Sequence, residues 1–290
     1  MDNSYQIITD ATVDLTPEIV EEFGLKVIPM PVTLDGQTFH HHYDYRELSA
    51  RDFYDAIRAG KAVSTAQINL LTYLRAFIPP LRAGKDVVYF CFSSGLSGTI
   101  QTAHMVLDVL REKFPQRRIV CIDTVCASVG QGFFLHHALR RQRDEDFTLD
   151  QLLEWAEREK TRVGHWFVVE DLNHLHKGGR LSKASAVAGT MLQIRPILTV
   201  DSDGRLVVWN KARGTAKAYQ LMVEHMKESG VDLASQTVVV GHSDNPDGAE
   251  KLKSMVKGLV KDVLILPVGP VIGAHVGAGM TALVYWGAER

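Results

Sequence analysis

Ser93-Ser94-Gly95-Leu96-Ser97-Gly98-Thr99 follows the apolar run Val87–Phe92 and opens a helical pattern. At such a strand-to-helix turn, three serines, a threonine and two glycines offer hydroxyls and unpaired backbone N–H groups to a negatively charged ligand. A helix cap needs one Ser or Thr, so the stretch reads either as a cap or as an anion-binding loop. The Gly-Lys-Ser/Thr ending of a nucleotide P-loop is missing, which leaves a carboxylate or a lone phosphate as the anion.

Other stretches carry similar chemistry. Thr9-Asp10-Ala11-Thr12-Val13-Asp14-Leu15 ends a predicted strand, at the edge where open α/β sheets bind ligands, and also suits a turn and cap for a helix starting near Pro17. Ser64-Thr65-Ala66-Gln67 reads as a cap for the helix from Leu70 that could reach an anion through Thr65. In Lys177-Gly178-Gly179-Arg180-Leu181-Ser182-Lys183, paired glycines between cations allow close backbone approach to an anion, though a solvated basic loop fits as well. His275 sits in the glycine-rich run Gly269–Gly279, as a satisfied core histidine or a residue near a ligand. Arg213, before another helical pattern, reads as a surface residue or a phosphate partner. His40-His41-His42-Tyr43-Asp44-Tyr45 reads as a polar loop; it has no accompanying metal-ligand pattern, so no metal is expected.

The elements that must position these residues follow from periodicity. Short Val, Ile, Leu and Phe runs alternate with helical patterns, the mark of an α/β chain with largely parallel, buried strands flanked by helices. Strands are expected at Tyr5–Ile8, Val27–Val32, Val87–Phe92, Ile119–Ile122, Trp166–Val169, Ile197–Val200, Leu206–Asn210, Val238–Gly241, Val263–Pro267 and Ala282–Tyr285. Helices are expected at Leu70–Leu81, Gly98–Lys113, Leu149–Lys160, Thr215–Lys227 and Asp247–Lys261. Asp201-Ser202-Asp203-Gly204 reads as a hairpin turn, which brings at least one antiparallel pair into the second half. The mixed charges of 140–146 read as a solvated face with i,i+4 pairs.

With 290 residues the chain is long enough for two domains, and a boundary near residue 163 divides it into 1–163 and 164–290, packed about a cleft. A net charge of -2 excludes the basic footprint of a nucleic-acid binder. No run approaches the length of a membrane span, so no stable membrane insertion is expected. Three cysteines, Cys91, Cys121 and Cys126, and no secretory leader point to reduced thiols and a cytoplasmic protein.

Taken in order, the Thr9–Leu15, Ser64–Gln67, Ser93–Thr99, Lys177–Lys183, Arg195-Pro196-Ile197-Leu198 and His275 motifs resemble the DegV-like family of bacterial fatty-acid-binding proteins, which includes the carrier subunit of fatty acid kinase. The resemblance covers almost the whole chain. It implies a two-domain α/β fold with a long-chain fatty acid in a buried tunnel and its carboxylate at the interdomain cleft, held by Thr65, Ser97 and His275. It further implies that Arg213 takes part in phosphate transfer when a separate kinase subunit docks, with Ser94 and Asp10 as further polar candidates behind the site. No cofactor and no catalytic residue are implied; the chain is read as a lipid-transport carrier. The sequence departs from the family pattern at Ala11, Val13, Ala66, Ile68, Asn69 and Ala278.

Two other classes remain beside the carrier. A serine-dependent acyl hydrolase or acyltransferase would use Ser97 as nucleophile, but no Gly-x-Ser-x-Gly elbow is present and no histidine is placed by sequence as its base. A phosphotransferase with its own nucleotide would need the missing P-loop lysine.

Overall fold

The computed structural model describes residues 4–170, 172–181 and 194–290. Ser182 and Lys183 of the basic glycine turn lie outside the described residues.

Strand β1 (Tyr5–Asp10) runs between β2 (Lys26–Ile28) and β6 (Asp86–Cys91), and β6 carries β7 (Ile119–Asp123) on its other side; all three pairings are parallel. Ile7, Ile8 and Val87–Cys91 are buried because helices cover both faces, which is why these strands read as unbroken apolar runs. Helices α3 (Leu70–Arg82) and α4 (Thr99–Lys113) press Tyr73, Phe77, Val106 and Leu110 onto one face. Helices α5 (Val129–Asp144) and α6 (Leu149–Glu159) press Phe134, Leu135, Leu152 and Trp155 onto the other. Beyond β1 the chain passes through a 3-10 turn, Ala11–Val13, into α1 (Pro17–Glu22), with Pro17 in the first turn as expected.

A second sheet of six strands has the order β10-β9-β8-β13-β11-β12, with β8 Val163–Val168, β9 Ile194–Val200, β10 Leu206–Arg213, β11 Thr237–His242, β12 Asp262–Pro267 and β13 Thr281–Trp286. Its β9–β10 pair is antiparallel and turns at Gly204, whose φ of +73° suits glycine, so the hairpin read from Asp201–Gly204 is present. The antiparallel share exceeds that reading: β8–β9, β8–β13 and β11–β13 are antiparallel too, and β11–β12 is the parallel pair. The signal was ambiguous because this sheet is also covered on both faces. Helices α8 (Thr215–Ser229) and α9 (Pro246–Val256) bury Tyr219, Met222 and Leu252 on one side, while Phe167, Val239 and Ala282 join the α5 core on the other. Helix α5 is therefore shared between the two sheets. It approaches β11 so closely that a Cβ at Gly241 would lie 2.6 Å from a Val129 methyl.

The stretch expected as one strand over Val27–Val32 is two, broken at Pro29: β2 and β3 (Met30–Leu34). Strand β3 pairs antiparallel with β4 (Gln37–His41) through the two-residue turn Asp35-Gly36, both at positive φ, and with β5 (Val63–Thr65). His40 and His41 are thus strand residues, a correction to the polar-loop reading. Ser64 and Thr65 are strand residues as well; the cap of α3 is Asn69, whose Oδ1 accepts the Thr72 N–H at 3.0 Å. Helix α2 (Ala50–Arg58) and α7 (Asn173–Lys177) complete the elements near the site, with α10 (Pro270–Val276). Although α10 lies late in the chain, Gly273 packs against Phe53 and Tyr54 of α2.

Arg140–Asp144 and Arg141–Glu145 form the expected i,i+4 ion pairs, and all three cysteines are free. Among the described residues no helix is long and apolar enough to cross a membrane.

Candidate functional site

Between the two sheets lies a cavity of about 360 Å³. Its apolar wall includes Phe92 just past β6, Phe167 of β8, Leu206 of β10, Ile272 and Val276 of α10, and Met280 just before β13. Its polar lining includes Thr65, Ser97, Arg180 and His275.

Strand pairing and one helix bring these groups together. Thr65, opposite Val32 in the β3–β5 register, has its Oγ1 2.9 Å from Nε2 of His275, 210 residues away. Helix α10 makes this contact by packing back on α2. Ser97 sits one residue before the cap of α4; its Oγ accepts the Thr99 N–H at 3.2 Å and lies 2.8 Å from Thr99 Oγ1. Gln67 ties the two segments: its Oε1 accepts the Thr102 hydroxyl at 2.9 Å, and its Nε2 lies 2.7 Å from where a Cβ on Gly98 would stand. The loop read as a cap or an anion site places Gly98, which makes no side-chain capping bond, at the cap of α4, and lines the cavity through Leu96 and Ser97.

Arg180 supplies positive charge. Its Nε–H donates to Leu96 O at 3.2 Å, a further N–H donates to Gly178 O, and among the described residues it has no carboxylate partner. Partial burial holds its pKa below the ordinary value. His275 is held neutral, its pKa pushed down to about 4 by burial first, then by Arg180 and His174. Its Nδ1 is buried without a partner among the described residues and faces Gly178, where an added Cβ would stand 2.4 Å away. A neutral imidazole, two hydroxyls and a guanidinium with no carboxylate partner among the described residues thus line one cavity.

The remaining candidates lie elsewhere. Asp10 is fully buried and stands behind Thr12: its Oδ1 accepts the Thr12 N–H at 3.0 Å and the Thr12 hydroxyl, and its Oδ2 accepts the Tyr89 hydroxyl at 2.5 Å. Thr12 itself lines the cavity. Ser94 is exposed, its N–H donating to Asp123 Oδ1 at 3.2 Å. Arg213 is exposed at the end of β10 and does not line the cavity. His40 and His42 flank Glu47 at 3.3 and 3.1 Å, and no group of three or more His, Cys, Asp or Glu among the described residues could hold a metal ion.

Sequence reasoning did not assign Arg180, Gln67 or Ser128 to the cavity. Arg180 was within reach, since Gly178-Gly179-Arg180 already suggested close approach to an anion. Ser128 follows the buried strand β7 and opens α5, the same strand-to-helix grammar as Ser93–Thr99.

A family profile described as that of an uncharacterised protein, DegV family, matches residues 4–287. A DegV domain-containing protein of Clostridium perfringens is 33% identical over 288 residues, covering 99% of this chain and 98% of the relative. One from Lactococcus lactis is 36% identical over 282 residues, covering 97% and 96%. Among solved structures, a DegV family protein from Thermus thermophilus described as binding fatty acid superposes with a TM-score of 0.88 at 27% identity, covering 98% of this chain and 99% of that one. A fatty-acid-binding DegV family protein from Streptococcus agalactiae does so with a TM-score of 0.83 at 30% identity, covering 97% of each.

Proposed function

Since the chain belongs to the DegV family, we propose that it binds one long-chain fatty acid, with the acyl chain in the apolar cavity and the carboxylate on Thr65, Ser97, His275 and Arg180. The observation that carries this reading is the pairing of a half-buried guanidinium, without a carboxylate partner among the described residues, and two hydroxyls with an apolar cavity. Burial of the chain supplies the affinity, roughly 0.8 kcal/mol per methylene removed from water. The polar set supplies orientation. If His275 donates its Nε2–H to Thr65 Oγ1, the Thr65 hydroxyl proton is free for one carboxylate oxygen. Ser97 is free in the same way once Thr99 donates to it, and Arg180 provides the countercharge.

In this reading the protein is a cytoplasmic carrier of two domains, 1–163 and 164–290, that presents the carboxylate to a fatty acid kinase subunit. Arg213 on the exposed end of β10 and Ser94 on the exposed loop are accessible to such a subunit, and Asp10 acts from behind through Thr12. The carrier reading is favoured over an acyl hydrolase because His275 bonds Thr65 while Ser97 bonds Thr99, so the serine has no imidazole base in this arrangement.

Displacement of a fluorescent fatty acid by palmitate, together with incubation with an activated acyl ester, tests the proposal. Saturation at one palmitate per chain without ester turnover is expected. No displacement, or turnover that disappears in Ser97→Ala, would overturn it.

A further inference from the structure

Outside the carboxylate-binding set, the buried side chain of Asp14 is wired to it from behind. Oδ1 of Asp14 accepts the Gly269 N–H at 2.9 Å, and Oδ2 accepts the Ser128 hydroxyl at 2.6 Å. Gly269 is the cap of α10, the helix that brings Ile272, His275 and Val276 to the cavity. Ser128 immediately precedes α5 and lines the cavity itself. One carboxylate therefore fastens α10 to the start of α5, across sequence separations of 255 and 114 residues.

The surroundings fix this junction tightly. Tyr54 donates its hydroxyl to Val268 O at 2.7 Å, one residue before the cap. At Gly269 a Cβ would stand 2.2 Å from Cε1 of His41 and 2.9 Å from Oδ1 of Asp14, so only glycine lets the backbone reach the carboxylate. Asp14 and Ser128 both adopt positive φ, +46° and +55°, conformations that side-chain-bearing residues hold only where surrounding contacts enforce them.

We propose that Asp14 is a positioning residue for the binding site: through Gly269 it sets where α10 holds the His275 imidazole against Thr65, and through Ser128 it sets the cavity wall at the start of α5. The ligand readout rests on the fatty-acid reading above; the geometry of His275 does not. The titratable groups around Asp14 are Asp10 at the end of β1, His41 of β4, Tyr45 after β4, and Tyr54 of α2. Arg58 and Asp244 lie beyond Tyr54. Desolvation pushes the Asp14 carboxyl up to about 7 and holds His41 neutral, its value down to about 3. Near neutral pH Asp14 thus changes from accepting both bonds to carrying a proton of its own.

Nitrogen NMR of the His275 ring in ligand-free protein, combined with palmitate titration, tests the proposal on wild type, Asp14→Ala and Asp14→Asn. In Asp14→Ala the His275 ring nitrogens should shift and palmitate affinity should fall about 10-fold, the size of one lost charge-assisted bond at this junction. Asp14→Asn, which can accept from Gly269 and donate to Ser128, should restore both within about 3-fold. The wild-type His275 signal should move as pH passes through about 7, and the Asn variant should abolish that step. A folded Asp14→Ala protein with unchanged His275 signals and affinity would overturn the proposal. Should Asp14→Ala fail to fold, Asp14→Ser, too short to bond both Gly269 and Ser128, takes its place, and unchanged His275 signals and affinity there would overturn the proposal. Absence of palmitate binding in wild type would sink the fatty-acid reading alone, leaving the His275 signals to decide on Asp14.

Discussion

Replacing Thr65 by Val removes one hydroxyl while keeping the branched shape that suits strand β5. Oγ1 of Thr65 is bonded to His275 Nε2 at 2.9 Å, and in the proposed complex it also donates to the ligand carboxylate. A hydrogen bond to a charged group contributes about 1.5 to 3 kcal/mol net, so the valine variant should bind palmitate about 10- to 150-fold more weakly. Part of the loss arises because His275 Nε2–H no longer meets an acceptor until it swings toward the carboxylate itself. Thr65→Ser keeps the hydroxyl and should stay within about 3-fold of wild type, the residual coming from the lost methyl. Calorimetric titration with palmitate kept monomeric gives the affinities, and the carbonyl signal of carboxyl-labelled palmitate reports the head-group environment. Equal affinity for wild type and Thr65→Val, with an unshifted carbonyl signal, would refute the assignment of Thr65 and with it the role of the His275 contact.

Arg180→Gln should weaken binding by about 1.5 to 3 kcal/mol by removing the countercharge, with a faster off-rate in stopped-flow displacement. Ser97→Ala should weaken palmitate binding by about 1 to 3 kcal/mol and, because the Thr99 N–H loses its acceptor, lower stability by about 1 kcal/mol in urea melts. Gly178→Ala puts a methyl 2.4 Å from His275 Nδ1 at an ordinary helical φ, so the imidazole must shift; affinity should fall with little change in helix α7 by circular dichroism. The protein should lose stability as pH falls from about 6.5 to 4.5. His41, His137, His165 and His275 are held neutral with values of about 3, 4, 3 and 4, so the unfolded chain binds more protons there. Asp14, raised by burial to about 7, and Asp10, raised by burial, run the opposite way and offset part of that uptake. The four histidines outweigh the two carboxyls, so urea midpoints should fall on acidification through that window; a flat or rising profile would contradict it.

How much of this was legible in the sequence differs from element to element. Val87–Phe92 followed by Ser93–Thr99 identified both a central strand and a cavity loop, because apolar run, glycines and hydroxyls are local signals. The β3–β4 hairpin went unread although Asp35-Gly36 marks it, since the polar His40 and His42 that follow mask the strand. Strands β8, β9 and β13 were recognised, but their antiparallel direction was not. A strand buried on both faces shows the same apolar run in either direction. In the site, His275 and Thr65 were named from the family resemblance; that they touch depends on α10 packing back onto α2, a tertiary fact with no local signature. Arg180 combines a half-buried position on the cavity wall with bonds to backbone carbonyls alone among the described residues, and both are properties of the folded chain.

Native mass spectrometry of the intact protein purified without detergent tests the central claim most directly. The account predicts a population carrying one long-chain fatty acid per chain, released as a free acid on denaturation, and reduced in the Thr65→Val, Ser97→Ala double variant. A chain that stays empty even after incubation with palmitate, or one that retains a covalent acyl group on Ser97, would contradict it.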